Sequence, residues 1–213
     1  MDVNNEKMYD LEDYLSYRKL LDESIGNSDQ RKRLFFNDSV VHAAMVAESI
    51  IRIATQERTP IFMFCGEFSI FRDGFKNKIE KLKERIRPND GAPDELMEKW
   101  KSFDPYTDLI EAMKNYFALE ENDLKFELKV EKDISSIRNE DVWNVLIPYY
   151  DNKSLSIMLA ERKSGLSHFL VSGKAYRKES SDLDKTAICC FDDDRTSQLL
   201  ISNFKSIKAN PVW

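Results

Sequence analysis

The chain has 213 residues, 42% of them hydrophobic and 33% charged, with a formal net charge of -6. This suffices for one well-packed domain, lies below the size at which a second is expected, and with only six Gly and six Pro argues against a loop-dominated fold or a long linker. The acidic balance argues against a general nucleic-acid-coating role, though a local basic patch remains compatible with it; no apolar run approaches the ~18 residues of a membrane-spanning helix; and the opening MDVNNEKMYDLEDY lacks the apolar core of a secretory signal.

Residues 1–33 read as a polar helical extension of a single domain covering 1–213, with Leu11, Tyr14, Leu15 and Leu21 on one helix face and a basic end at Arg31-Lys32-Arg33. Leu34-Phe35-Phe36 predicts a short strand, and Asn37-Asp38-Ser39 supplies a cap for the next helix. Val40, Ala44, Ala47, Ile51 and Ala54 recur at helical spacing until Pro60. Ile61-Phe62-Met63-Phe64-Cys65, between Pro and Gly, predicts a strand buried on both faces. Phe71, Phe75, Ile79, Leu82 and Ile86 mark a helix whose other face is a basic stripe that includes Lys76 and Lys83. Two more helices follow, the second opened by Asp104-Pro105.

Leu124, Phe126, Leu128 and Val130 alternate with Lys125, Glu127 and Lys129, which predicts a half-buried strand with one wet face. A helix over residues 142–147 is expected to stop at Pro148. Leu155, Ile157 and Leu159 alternate as a strand. Ser172-Gly173 turns a hairpin between Phe169-Leu170-Val171 and Ala175-Tyr176-Arg177, and one more strand runs from Thr186 to Phe191. Asp192-Asp193-Asp194 then caps a closing helix. Early strand–helix–strand units followed by a run of strands imply a mixed α/β fold, a central mixed sheet with helices on both faces.

The tests for chemistry are mostly negative. No nucleophile elbow, dinucleotide fingerprint or P-loop occurs, and no paired Cys/His spacing marks a zinc site. Cys65, Cys189 and Cys190 sit in apolar runs and read as reduced, buried thiols of a cytoplasmic protein. No metal site or cofactor is expected. His42, early in an amphipathic helix, reads as structural. Glu161-Arg162-Lys163 is a short Glu-x-Lys match to a metal-dependent nuclease strand, where carboxylates and a lysine would hold Mg²⁺ and polarise a phosphate.

Two stretches resemble the phospholipase D-like fold in its single-lobe form: FFNDSVVHAAMVAESIIRIATQERTPIFMFCGEFSIF (35–71), and HFLVSGKAYRKES with TAICCFDDDRTSQLLISNFKSIKANPVW (168–180 and 186–213). The resemblance covers a little over a third of the chain. It implies a chemistry in which one His of a His-x-Lys pair attacks phosphorus, a second protonates the leaving group, and the lysines neutralise the phosphate. Here the nucleophile position falls on Leu166, the Lys position on His168 and the Asp position on Ser172, while Tyr176-Arg177-Lys178-Glu179 stands for Gly-Ser-x-Asn.

The resemblance with its polar residues replaced implies a non-hydrolytic relative. It would be an interaction subunit of a bacterial multi-protein system in antiviral defence or DNA processing, with a protein partner or a homodimer and no membrane. Lys174, Arg177 and Lys178 are candidate phosphate- or carboxylate-binding residues on what reads as an exposed hairpin edge. The competing expectation is a nuclease using Glu161, Lys163, His168 and Lys174. A nucleic-acid-binding protein without cleavage would use the stripe holding Lys76 and Lys83.

Overall fold

In the computed structural model, residues 9–119, 124–161, 165–180 and 186–212 are described. They form a mixed α/β fold with one eight-stranded sheet in the order β1-β7-β6-β5-β2-β3-β4-β8. The chain order is α1 (Leu11–Gly26), β1 (Phe35–Asn37), α2 (Val40–Glu57), β2 (Ile61–Cys65), α3 (Asp73–Arg85), α4 (Asp94–Ser102), α5 (Pro105–Phe117), β3 (Phe126–Val130), α6 (Asp141–Asp151), β4 (Leu155–Ala160), β5 (Phe169–Ser172), β6 (Ala175–Glu179), β7 (Ala187–Cys190), α7 (Asp194–Ser206) and β8 (Ala209–Pro211). The expected succession of elements holds, with β8 added at its end.

β2, β3 and β4 run parallel, and every other pairing is antiparallel. Both faces of β2 are covered, as a continuous apolar run requires. Ile61, Met63 and Cys65 join the larger core beneath α2 and α5, while Phe62 and Phe64 join a second core with Leu200, Phe204 and Ile207. Among the described residues, α7 is the helix that packs on that second face.

α2 is buried almost all round. Ser39 caps its start by accepting from the His42 N–H, and Arg58 ends it in the left-handed region at φ 52°. α1 packs on α2 through Leu11, Tyr14, Leu21 and Ile25. The one acid buried in α2, Glu48, is met by Arg18 at 2.6 Å and Arg52 at 3.3 Å. Those arginines continue to Asp108 on α5 and Asp22 on α1, so one buried carboxylate ties three helices together. Burial still holds the Glu48 carboxyl above its usual range. His42 is 3% exposed, with Nδ1 3.3 Å from Asp38 Oδ1 and its ring 4.1 Å from that of Tyr17.

Three local expectations are corrected. The expected wet face at 125–129 is only partly wet: Lys125 is exposed and Glu127 half-buried, but β3 lies inside the sheet and Lys129 is only 7% exposed. Its ammonium donates to the carbonyls of Phe204 and Ile207, each at 2.7 Å, and lies 4.5 Å from the Phe204 ring. A cation is favourable there because the last carbonyls of a helix have no partners and carry the negative end of its dipole. Burial nonetheless lowers the Lys129 pKa, against the charge of Glu127.

Pro148 does not stop α6, which continues to Asp151. The hydrogen bond that proline forfeits would have gone to Asn144, which is exposed, so the loss falls on the solvent side. The β5–β6 hairpin is not an edge either: β6 lies between β5 and β7, and the edges are β1 and β8. Alternation within one strand cannot show how many strands lie beyond it.

Replacing Lys129 by Met keeps the stem and removes both donors from the end of α7. Chemical denaturation should show a loss of about 1–3 kcal/mol, the cost of leaving the Ile207 carbonyl unmet and the Phe204 carbonyl with only the Ile207 N–H. An unchanged midpoint would mean the two carbonyls find other partners.

Candidate functional site

The parallel strands end together, and β5 begins at that same end because it runs antiparallel to β2, with Phe64 opposite Phe169. Open α/β sheets commonly place their ligands at such ends. Four short stretches meet there: Cys65-Gly66 after β2, Glu131 after β3, His168 before β5 and Glu179 closing β6. Backbone bonds fix their spacing, with Glu131 N–H donating to Cys65 O at 3.0 Å and Glu179 N–H to His168 O at 2.9 Å.

His168 is the centre of this site. Nδ1 lies 3.1 Å from Glu179 Oε2 and Nε2 lies 3.2 Å from Glu131 Oε2. Glu179 also accepts from Arg177 at 3.2 Å through its other oxygen, and Arg177 Nε donates to Asn37 Oδ1 at 2.9 Å. The chain Glu131–His168–Glu179–Arg177–Asn37 therefore crosses from β3 to β1. The Glu179 hydrogen bond is the main cause that raises the His168 pKa; burial opposes it and Glu131 adds to it. Burial would raise the Glu179 carboxyl, but His168 and Arg177 outweigh it and hold the group below its usual range.

A carboxylate at each nitrogen favours the imidazolium form of the ring, which donates from both sides. In that state it has no lone pair with which to attack phosphorus. Gly66 makes room for the ring, since a Cβ there would stand 3.3 Å from His168 Cε1. Beside it Cys65 is buried and its thiol is pushed up to about 12, chiefly by desolvation, which leaves it un-ionised and a poor nucleophile.

The nuclease candidates do not converge. Glu161 is exposed just past β4, three strands from β5 and so roughly 14 Å across the sheet. Lys174 sits on the turn at the far end of the hairpin, roughly 13 Å along it from His168. There it faces Asp192 at 3.6 Å and lines a cleft of about 550 Å³ with Arg31, Glu57 and Thr59. Lys163 lies outside the described residues. Among the described residues no cluster of His, Cys, Asp and Glu could hold a metal ion.

The binding candidates also separate. Arg177 and Lys178 project to opposite faces of β6, as neighbours on a strand must, and the Arg177 side chain is only 13% exposed within the chain of ion pairs. Lys83 donates to Lys101 O and lies over Trp100, whose indole N–H donates back to Lys83 O, so it joins α3 to α4. Lys76 is half-buried on α3. Glu131 was not anticipated and carries no local sequence signal: it lies 37 residues from His168, and only strand pairing brings them together. Glu179 falls within the tetrad that stands at the resembled family's Gly-Ser-x-Asn position. No helix of the described residues is long and apolar enough to cross a membrane.

No protein-family model matches the chain, and no curated protein is similar to it. Among solved structures, it is similar to that of TrmBL2, an archaeal chromatin protein described as showing a novel mode of DNA binding. The TM-score is 0.44 and the identity 12%, over 90% of this chain and 58% of that one. The chain thus spans little more than half the length of that protein's chain, and a likeness of this degree assigns it no role.

The His168 bridge has a definite pH signature. The folded-state pKa is raised, so its contribution to stability is complete below the ordinary value of 6.5 and is lost as pH rises through the folded value. The lowered Glu179 pKa works in the other sense: its contribution is present above 4.5 and is lost as pH falls through its folded value. Arg177 shares Glu179 with this ring through the other carboxylate oxygen. The stability difference between wild type and His168→Gln, read from thermal melts, should be largest near about pH 6 and shrink towards alkaline pH. A difference independent of pH would mean His168 is neutral. Gly66→Ala should push the imidazole off its two carboxylates, seen as a His168 NMR titration moving down towards 6.5.

Proposed function

We propose that this chain is a non-catalytic interaction subunit, built on a degenerate phospholipase D-like lobe, that works within a larger protein assembly in antiviral defence or DNA processing. The observation that carries this reading is His168: both ring nitrogens are engaged by carboxylates, so the one histidine of the hairpin acts as a clamp between strands. A nucleophile needs a free nitrogen and a nearby phosphate-neutralising cation; here carboxylates occupy both sides and would repel a phosphate. The neighbouring positions are consistent with this. Leu166 packs against the core beneath α7. Ser172 is buried, with its hydroxyl 2.7 Å from Thr59 Oγ1 and donating to Pro60 O at 2.9 Å.

The test is hydrolysis of single- and double-stranded DNA, RNA and a phosphodiester reporter across Mg²⁺, Mn²⁺, Ca²⁺, Zn²⁺ and chelator. Wild type, Glu161→Ala and His168→Ala are expected to be indistinguishable from buffer. Cleavage by wild type that disappears in either variant would replace this reading with a hydrolase. Native mass of the protein purified from its source cells should show a complex, and a lone monomer would count against the assembly.

A further inference from the structure

The face of the sheet that carries α7 is only partly covered. Eight strands span roughly 34 Å, and a helix with its side chains is about 10 Å across. α7 lies on β5, β2 and β6 and buries Cys190 of β7 beneath it, which leaves the Ile188 end of β7 and the edge strand β1 open on that side. The register sets out what is left there: Phe36 stands opposite Ile188, and Ile188 opposite Lys178. Phe36 is 70% exposed and Leu34, two residues earlier on the same face, is 52% exposed.

The wall of this shelf is α7 itself. Its Asp194, Gln198 and Ile201 flank lines the cleft over β2, while Thr196 hydrogen-bonds Tyr176 on β6. Leu199, one turn beyond Thr196, therefore stands on the shelf side, and it is 60% exposed. Residues 196–204, TSQLLISNF, contain no charge in a chain that is one-third charged. Depletion of charge around exposed large apolar groups is the composition of an interface centre. Among the described residues the shelf carries Lys178 on its floor and Arg195 one turn ahead of Leu199 on α7, while Arg33 lies over the Phe35 ring on the opposite face of β1. Of the acids at the start of α7, Asp193 caps the helix, Asp192 faces Lys174, and Asp194 lies on the opposite flank towards the cleft over β2.

We infer that this shelf between α7 and β1 docks an amphipathic helix of a partner protein, apolar on the face it buries and acidic on its flanks. The open width, about two strand spacings, matches one helix diameter. A local cationic rim on a protein of net charge -6 selects an acidic partner by charge complementarity. Strand addition fits less well, because the outward carbonyl of Phe36 already accepts from the Tyr17 hydroxyl. The inference rests on the interaction-subunit reading and gives it a surface.

The probes are two helical peptides of equal length with the same Leu/Phe stripe, one with a Glu-rich polar face and one with a Lys-rich face, followed by fluorescence anisotropy. The Glu-rich peptide should bind, should shift the NMR signals of Ile188 and Leu199, and should weaken about tenfold with Phe36→Ser or Leu199→Ser. Both sites are exposed, so melting temperatures should stay at the wild-type value and confirm folding. No binding, equal binding of the Lys-rich peptide, or binding indifferent to both substitutions would overturn the inference. A dimeric native mass abolished by these substitutions would assign the shelf to a second copy, and single-stranded DNA binding abolished by them would assign it to nucleic acid. Either result also overturns it. Phosphodiester cleavage would sink the non-catalytic reading while leaving the peptide result intact.

Discussion

Everything in this molecule is arranged around the need to bury β2 on both sides. Five consecutive apolar residues admit no solvent face, so the strand can exist only inside a sheet and between two layers of helix. Ile61, Met63 and Cys65 require α2 and α5 above them; Phe62 and Phe64 require α7 below. Two neighbours satisfy its backbone, β3 in parallel and β5 in antiparallel. Because β2 is the point where the sheet changes from parallel to antiparallel pairing, the start of β5 arrives at the same end as the finish of β2 and β3. That is how His168 comes to lie beside Gly66 and Glu131.

Charge inside this fold is always answered by charge or by a helix end. Glu48 has two arginines, Lys129 has two terminal carbonyls, and His168 has two carboxylates. Each joins elements far apart in sequence: α1 to α2, β3 to α7, β3 to β6. Buried ionic groups give little net stability but punish any arrangement that separates them. They select one packing of the helices and strands over near alternatives. The same logic converts a histidine that sequence presents as a reactive group into a cross-strand tie.

The two faces of the sheet differ in how completely they are finished. On one, α1 to α6 build a deep core around the almost wholly buried α2. On the other, among the described residues, α7 closes over the central strands and leaves the β1 side as an apolar shelf. The conserved physical demand is the same on both faces, that exposed apolar sheet be covered. An incomplete cover on one side therefore leaves apolar sheet surface exposed, at Phe36 and Leu34.

Much of the architecture is legible in the amino-acid sequence, because burial and helical period are local signals. IFMFC between Pro60 and Gly66, the Asp104-Pro105 start, the Ser172-Gly173 turn with Gly173 at φ 54° and the Asp193 cap each specify their element within a few residues. The sequence by itself determined the helices and every strand except β8, their order and the mixed α/β class. Only the tertiary structure decided which strands lie inside. Lys125, Glu127 and Lys129 alternate as a wet face would, yet Lys129 is enclosed, because a helix 65 residues or more downstream lands on it and supplies acceptors for its ammonium. Likewise Glu131, His168 and Glu179 are three unremarkable polar residues along the chain. Strand pairing across the switch at β2 places two carboxylates on one imidazole, and that proximity in space decides whether His168 can react or only hold.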